Sequence, residues 1–216
     1  MSALVIFDMD GTLVDTSRAT ISAFSCCTSA FLMPMLSSVE ISNAIGVAAP
    51  EFYQILYPSY SRAQLQPFAN AVEQVESILI GQLGTQMIFD GVDTLLSNLH
   101  AAGVTLLLAS TGSQSHVSVT MEATRLSACF TEIRCGEPDK TQMVAQLLEK
   151  YPHKRAVMIG DTKKDADAAH RNHITAIGAG FGYCNAVRAP LFDAVAMSPA
   201  QLQAMILNAQ GDKMGF

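Results

Sequence analysis

The sequence contains few charged residues, and the basic ones are the scarcer kind. Only 15% of its 216 residues are charged, and 13 Lys and Arg stand against 19 Asp and Glu, which gives a net charge of -6. Proteins that bind nucleic acid usually carry a basic patch, so this composition argues against DNA or RNA as a partner. Half of the residues are apolar, which argues against a disordered or fibrous chain.

The chain also lacks paired cysteines and a secretory leader. The five cysteines are odd in number and show no Cys-x-x-Cys spacing, so we expect free, buried thiols rather than a zinc site or a redox motif. The N-terminus has no basic start followed by a cleavage site. Together these absences favour the reducing cytoplasm.

One uncharged stretch, residues 19–39, has about the length of a membrane span. Serine and threonine residues interrupt it, and Pro34 would break a helix near its end. We therefore expect a poorly charged, largely buried helix and no membrane partner. Its aromatic and methionine side chains leave a role in a dimer interface open, so monomer and homodimer both remain possible.

Short apolar runs alternate with segments of helical spacing, and this pattern predicts the fold class. The candidate strands are Leu4–Phe7, Val104–Ala109, Ile133–Cys135, Ala156–Ile159, Thr175–Ile177 and Ala194–Met197. The candidate helices between them are Val92–Ala101, Ser115–Leu126, Thr141–Lys150 and Asp165–Asn172. Such alternation is typical of a doubly wound, Rossmann-like α/β core with a parallel sheet. Ligands of these sheets bind beyond the carboxyl ends of the strands.

The alternation is interrupted between the first two strands. Three helix-like stretches, near Thr16–Met33, Val39–Leu56 and Ala63–Leu83, occupy this part of the chain. We interpret residues 15–88 as a small helical cap domain inserted after the first strand. Residues 1–14 and 89–216 then form the core, which a chain of this length has room to build.

Two acids close the first apolar run. Asp8 and Asp10 are two residues apart, and Gly11 allows a sharp turn that brings backbone amides close to an anion. A pair of acids can divide the roles of nucleophile and general acid-base. The alternative is a turn with two solvated carboxylates.

A second pair of acids follows the apolar run that ends at Ile159. Asp161 lies in the loop after it and Asp165 one helical turn further on. Carboxylate oxygens suit Mg²⁺, so Asp161 is a candidate ligand and Asp165 a candidate supporting residue. Alternatively, Asp161 caps the helix and Asp165 is a first-turn acid.

Hydroxyl groups and a lysine follow the remaining strands. Ser110 and Thr111 precede a helix start that offers free amides to a phosphate, or else these hydroxyls make only local hydrogen bonds. Lys140 opens the next helix, where a positive charge is locally unfavourable. That cost suggests a role in neutralising a phosphoryl group, with a solvated surface lysine as the alternative.

In this order along the chain, Asp8-x-Asp10-Gly-Thr, Ser110, Lys140 and Gly160-Asp161-x-x-x-Asp165 resemble the motifs of the haloacid dehalogenase superfamily. The helical insertion after the first motif, Asp15-Thr16 and the Gly180-Phe-Gly-Tyr183 segment resemble its phosphoglycolate phosphatase-like branch. The resemblance covers the whole chain.

The resemblance implies a Mg²⁺-dependent phosphatase that acts on a small phosphomonoester, of the phosphoglycolate, nucleotide or sugar phosphate class. It implies that Asp8 is the nucleophile and Asp10 the general acid-base. It further implies Mg²⁺ held by Asp8, the Asp10 backbone carbonyl, Asp161 and Asp165, and a phosphate gripped by Ser110, Thr111 and Lys140.

Two departures and two alternatives accompany this interpretation. Gly112 stands where many relatives carry a lysine, and the insertion has few basic residues, so a highly anionic substrate gains little help. The retained Asp10 argues against dehalogenase chemistry. A sugar phosphomutase uses the same two acids, and a non-catalytic binding protein could retain the fold.

Overall fold

Six strands form one parallel sheet in the computed structural model, which describes residues 3–47, 49–137, 139–152 and 155–208. The strands are β1 (Ala3–Phe7), β2 (Thr105–Ser110), β3 (Glu132–Cys135), β4 (Arg155–Gly160), β5 (Thr175–Ala179) and β6 (Ala194–Ala196). Their order is β3-β2-β1-β4-β5-β6, with every neighbouring pair parallel. The predicted sheet is confirmed, and the strand ends differ from the prediction by one or two residues.

Four helices make up the insertion after β1: α1 (Ser17–Ala30), α2 (Ser38–Ala44), α3 (Glu51–Leu56) and α4 (Arg62–Leu83). The helix-like stretch 39–56 divides into two helices, because the chain leaves the helix at Ile45 and passes Gly46 with a φ of 93°. The four helices share an apolar cluster of their own, in which the rings of Phe24 and Phe68 meet edge to face at 5.5 Å.

The first of these helices is less buried than predicted. Its end at Ala30 comes four residues before Pro34, and the following Phe31, Leu32 and Met35 are exposed. None of the helices within the described ranges combines the length and the apolar character needed to cross a membrane. The five cysteines are free, as expected, but only Cys27 and Cys184 are buried.

Five further helices cover both faces of the sheet: α5 (Val92–Ala101), α6 (Gln114–Thr124), α7 (Lys140–Lys150), α8 (Lys163–Arg171) and α9 (Pro199–Asn208). Side chains alternate along β1, so that Val5 and Phe7 pack in the cluster with α5, α6 and α9, whereas Leu4 and Ile6 pack with α7 and α8. This arrangement is the predicted doubly wound core. Helix α9, which we did not predict, buries Leu202 and Ile206 on the first face.

The two chain segments that join the insertion to the core run side by side. Val14 forms an antiparallel bridge with Ile88, and the Asp15 amide donates to the Met87 carbonyl at 2.7 Å. On the core side of this bridge, the Phe89 amide donates to the Leu13 carbonyl at 3.1 Å. The insertion therefore leaves and rejoins the core at one place, next to the carboxyl end of β1.

Candidate active site

Asp8 follows the central strand of the sheet, and its side chain is buried against a lysine. The Lys140 Nζ donates to Asp8 Oδ1 at 2.5 Å and to Asp165 Oδ1 at 2.6 Å. Only 4% of the Lys140 side chain is exposed, so the alternative of a solvated surface lysine is wrong. The charge that is unfavourable at the start of α7 lies instead between two buried carboxylates.

Asp161 and Asp165 lie at the adjacent carboxyl end of β4. Thr12 Oγ1 donates to Asp161 Oδ1 at 3.2 Å, and Arg188 Nη1 donates to Asp161 Oδ2 at 2.8 Å. Thr162 caps α8, and its amide donates to Asp165 Oδ2 at 2.9 Å. Asp161 is thus not the N-cap, while Asp165 serves both as a capping residue and as a partner of Lys140.

Three buried carboxylates, those of Asp8, Asp161 and Asp165, form a group that could hold a metal ion. One oxygen from each lies within 4.8 Å of the other two. Lys140 and Arg188 supply two positive charges against these three negative ones. The surplus negative charge and the hard oxygen donors fit a divalent cation such as Mg²⁺.

The pKa values agree with that surplus. Burial raises the pKa of Asp8 well above its ordinary value, and Lys140 only partly offsets this. Burial likewise raises the pKa of Asp161, and the neighbouring Asp8 and Asp165 carboxylates add to the rise. A cation bound to the group would favour the ionised carboxylates and reverse the shift.

The carboxylate of Asp10 has its own partners outside this group. It accepts from Thr16 Oγ1 at 2.9 Å and lies 3.0 Å from Nε2 of His116. Burial opposes ionisation of Asp10, but the His116 charge and these hydrogen bonds hold its pKa below the ordinary value. Burial also disfavours a charged imidazole, yet the Asp10 and Glu76 carboxylates raise the pKa of His116 to about 9.

The two hydroxyl residues of β2 and its loop have different surroundings. Ser110 is buried at the end of the strand, and its Oγ accepts the Gly112 amide at 3.0 Å, a local bond of the kind expected at a helix start. Thr111 lines a cavity together with Asp10. Both stand at the carboxyl edge of the sheet, as the sequence predicted.

This cavity, of about 120 Å³, lies between the insertion and the rim of the sheet. The core contributes Asp10, Thr111 and His116, and α3 and α4 contribute Phe52, Tyr53, Glu73 and Glu76. Asp10 therefore borders a space whose far wall belongs to the insertion.

Gly11 allows two loops to approach the site closely. Its φ is 76°, and a Cβ there would lie 2.4 Å from Cδ2 of Tyr183. The Tyr183 amide donates to the Gly11 carbonyl at 2.9 Å, and its hydroxyl accepts from the Ser17 amide at 3.1 Å and donates to Asp15. The Gly180–Tyr183 segment and the Asp15–Thr16 segment, noted separately in the sequence, thus meet beside the first motif.

Sequence reasoning missed three residues of this site: His116, Glu76 and Arg188. His116 lies in the first turn of α6, shortly after Ser110. This position of a lone imidazole is the signal by which the sequence could have indicated it. Glu76 sits in a long helix among other polar residues, and Arg188 in a loop before β6. Neither belongs to a local pattern, because their role depends on contacts with residues far away in the chain.

Taken together, the doubly wound sheet, the helical insertion and the paired aspartates at the ends of β1 and β4 define an α/β protein with a buried acidic site. The model of the haloacid dehalogenase-like hydrolase family matches residues 5–179. The chain belongs to this family, which confirms the predicted resemblance.

Individual relatives and solved structures are similar over nearly the whole chain. A phosphoglycolate phosphatase of Agrobacterium fabrum is 23% identical over 224 residues, covering 95% of both proteins. A haloacid dehalogenase-like hydrolase of Streptococcus pneumoniae has a TM-score of 0.81 at 20% identity, covering 94% of this chain and 98% of its own. A β-phosphoglucomutase of Clostridium difficile has a TM-score of 0.79 at 18% identity, covering 97% of each chain. Several relatives, the Agrobacterium fabrum protein among them, are phosphoglycolate phosphatases. They agree with the predicted class of enzyme, a phosphoric monoester hydrolase.

Proposed function

We propose that this protein is a Mg²⁺-dependent phosphatase that hydrolyses a small phosphomonoester through a phosphoryl group carried transiently on Asp8. The observation that carries the proposal is the buried group of Asp8, Asp161 and Asp165, which has Lys140 between two of its members. Nucleophile, cation ligands and a cation for the phosphoryl group are thereby assembled at the carboxyl end of a parallel sheet, where such folds bind ligands.

Asp8 is the nucleophile in this proposal. Its free oxygen attacks phosphorus, an O–P bond forms to the carboxylate, and the bond between phosphorus and the substrate alcohol breaks. Asp8, the Asp10 carbonyl, Asp161 and Asp165 would hold a Mg²⁺ ion, which would supply positive charge that favours the ionised carboxylate and the anionic phosphoryl oxygens. Lys140, with the hydroxyls of Ser110 and Thr111, holds the same oxygens.

Asp10 is the general acid and then the general base. The Asp10–His116 pair holds one proton at neutral pH, because each partner favours the charged form of the other. His116 passes this proton to Asp10, and Asp10 gives it to the departing alcohol oxygen. Asp10 then takes a proton from the water that attacks phosphorus, which releases inorganic phosphate and restores the free Asp8 carboxylate.

Residues 15–88 are, in this proposal, a cap domain that supplies the wall facing the leaving group. Their separate apolar cluster and the paired crossing at Val14 and Ile88 support these bounds, with residues 1–14 and 89–216 as the core. The cap side chains on the cavity then select among phosphoglycolate, nucleotide and sugar phosphate substrates.

Phosphate release from a panel of phosphomonoesters, with Mg²⁺ or with excess chelator, tests the proposal. We expect turnover that requires Mg²⁺ and that Asp8→Asn abolishes. Asp93→Asn is the matched control, since this aspartate is exposed on α5, outside the site, and should leave the rate unchanged. For Asp10→Asn with p-nitrophenyl phosphate, we expect a protein mass increased by one phosphoryl group, because a good leaving group needs no acid.

Four results would count against the proposal. Phosphate release without Mg²⁺ would show that the reaction does not need the metal. Full activity of Asp8→Asn would show that Asp8 is not the nucleophile. Transfer of phosphate between positions of a sugar phosphate without release would favour the mutase instead, and no turnover of any ester by a folded, Mg²⁺-loaded sample would favour a binding protein.

A further inference from the structure

Three acids, Asp10, Glu73 and Glu76, line the cavity beside Asp10 against one imidazole, that of His116. Glu73 and Glu76 of α4 face it from the insertion, opposite the Asp10 carboxylate. No lysine or arginine within the described ranges lines this cavity. A substrate group that enters here therefore meets a negative field.

Glu76 is the acid best fixed in this wall. Only 13% of its side chain is exposed, and its Oε1 accepts from Thr20 Oγ1 at 2.5 Å. Its Oε2 lies 3.7 Å from Nδ1 of His116. A carboxylate has about four acceptor sites, so Glu76 has acceptor capacity left for a ligand, and its orientation is set by neighbours from α1 and α6.

The imidazole of His116, which lines this cavity, is already paired with carboxylates of the protein. His116 places Nε2 3.0 Å from Asp10 and Nδ1 on the side of Glu76. Both ring nitrogens thus point to carboxylates of the protein. Lys140 and Arg188 are engaged with the buried aspartates. The three cations that the described part of the chain brings to this site are therefore already paired with carboxylates of the protein.

The size and the remaining walls of the cavity further limit which leaving groups it can hold. Its volume of about 120 Å³ is below the range of roughly 300–1,000 Å³ of drug-sized pockets. Phe52 and Tyr53 add aromatic surface, against which the carbon backbone of a small alcohol can pack.

We propose that the leaving group is a small, uncharged alcohol whose further hydroxyl groups donate to Glu76, and that Glu76 rejects esters with a carboxylate close to the phosphate. This inference rests on the proposed function and goes beyond it, since it excludes phosphoglycolate from the classes of substrate. Glu76 is then a specificity-determining residue, and its charge acts on the choice of substrate more than on the chemical step.

Two matched pairs of esters test the proposal. 2-Hydroxyethyl phosphate and 2-phosphoglycolate share one skeleton and differ in a hydroxymethyl group against a carboxylate, as do glycerol 3-phosphate and 3-phosphoglycerate. We expect kcat/KM of the wild type with Mg²⁺ to be higher by about 10- to 100-fold for the alcohol of each pair, since facing like charges carry a large penalty.

The variant Glu76→Gln keeps the shape of the side chain and removes its charge. We expect the preference for the alcohol to fall by about tenfold, mainly through a better kcat/KM for the two carboxylates. Glu51→Gln is the matched control: Glu51 is also a glutamate of the insertion, but it is exposed, pairs with Arg62 and does not line the cavity. It should retain the wild-type preference, and circular dichroism would verify the fold of both variants.

The outcomes separate the inference from the proposed function. Turnover of 2-phosphoglycolate equal to or faster than that of 2-hydroxyethyl phosphate would overturn the inference and leave the phosphatase intact. An unchanged preference in Glu76→Gln would also overturn it. Absence of Mg²⁺-dependent turnover of every ester, p-nitrophenyl phosphate included, would overturn the phosphatase and the inference together.

Discussion

Replacing Lys140 by methionine should destabilise the metal-free protein strongly. Methionine keeps most of the aliphatic stem but removes the ammonium that lies 2.5 Å from Asp8 and 2.6 Å from Asp165. These carboxylate side chains are only 7% and 0% exposed, so water replaces little of the lost attraction. Removing one partner of a buried ion pair costs roughly 3–5 kcal/mol, because it leaves buried charge without compensation.

Urea unfolding followed by circular dichroism in excess chelator measures this cost. With an m-value of about 2–3 kcal/mol/M, the loss corresponds to a midpoint lowered by about 1–2.5 M. The double variant Lys140→Met/Asp8→Asn should recover part of it, since one uncompensated charge is gone. The loss of stability caused by Lys140→Met should also be smaller at pH 5 than at pH 8, because the buried carboxyl groups are more fully protonated at pH 5.

Lys150→Met is the matched control at the other end of α7. Lys150 pairs with Glu132, but its side chain is 61% exposed, and exposed pairs contribute little to stability. If Lys140→Met unfolds at the same urea concentration as Lys150→Met, the claim that Lys140 compensates buried charge is refuted.

Three further outcomes follow from the same geometry. Metal-free protein should lose stability as pH rises from about 4 to 9, because over this range the folded state binds more protons than the unfolded state. Folding raises the pKa of Asp8 from 3.8 to about 7 and that of His116 from 6.5 to about 9. Bound Mg²⁺ should remove the contribution of Asp8 to this pH dependence, because the ion keeps the carboxylate ionised. An unfolding midpoint that rises with pH in chelator would contradict the predicted direction. Gly160→Ala should lower the melting temperature and weaken Mg²⁺ binding, since its Cβ would lie 2.3 Å from Asp165, whereas Gly81→Ala, with open space around it, should be tolerated. His116→Gln should lower kcat by roughly 100-fold with little change in KM and with an altered pH profile of kcat; an unchanged kcat would exclude a role for the imidazole in proton transfer.

Local sequence was enough to predict most of the core. Each parallel strand is buried on both faces, so it appears as a continuous apolar run such as Leu4–Phe7. Helix α5 was predicted at its observed bounds, Val92–Ala101, because Gly91 precedes it and its leucines recur with helical spacing. Helix α9 was missed, since short helices gain their stability from tertiary packing rather than from their own propensity.

The sequence by itself determined where the acids and hydroxyls of the candidate site lie, because side chains that directly follow apolar parallel strands must lie at one edge of the sheet. That argument applied to Asp8, Asp161 and Ser110 without any knowledge of contacts. Only the tertiary structure decided which charges meet: Lys140 between Asp8 and Asp165, 132 and 25 residues away, and His116 between Asp10 and a glutamate of the insertion. Pairing across such separations depends on how α4, α6 and α7 pack around the sheet, and no local pattern in the sequence encodes it.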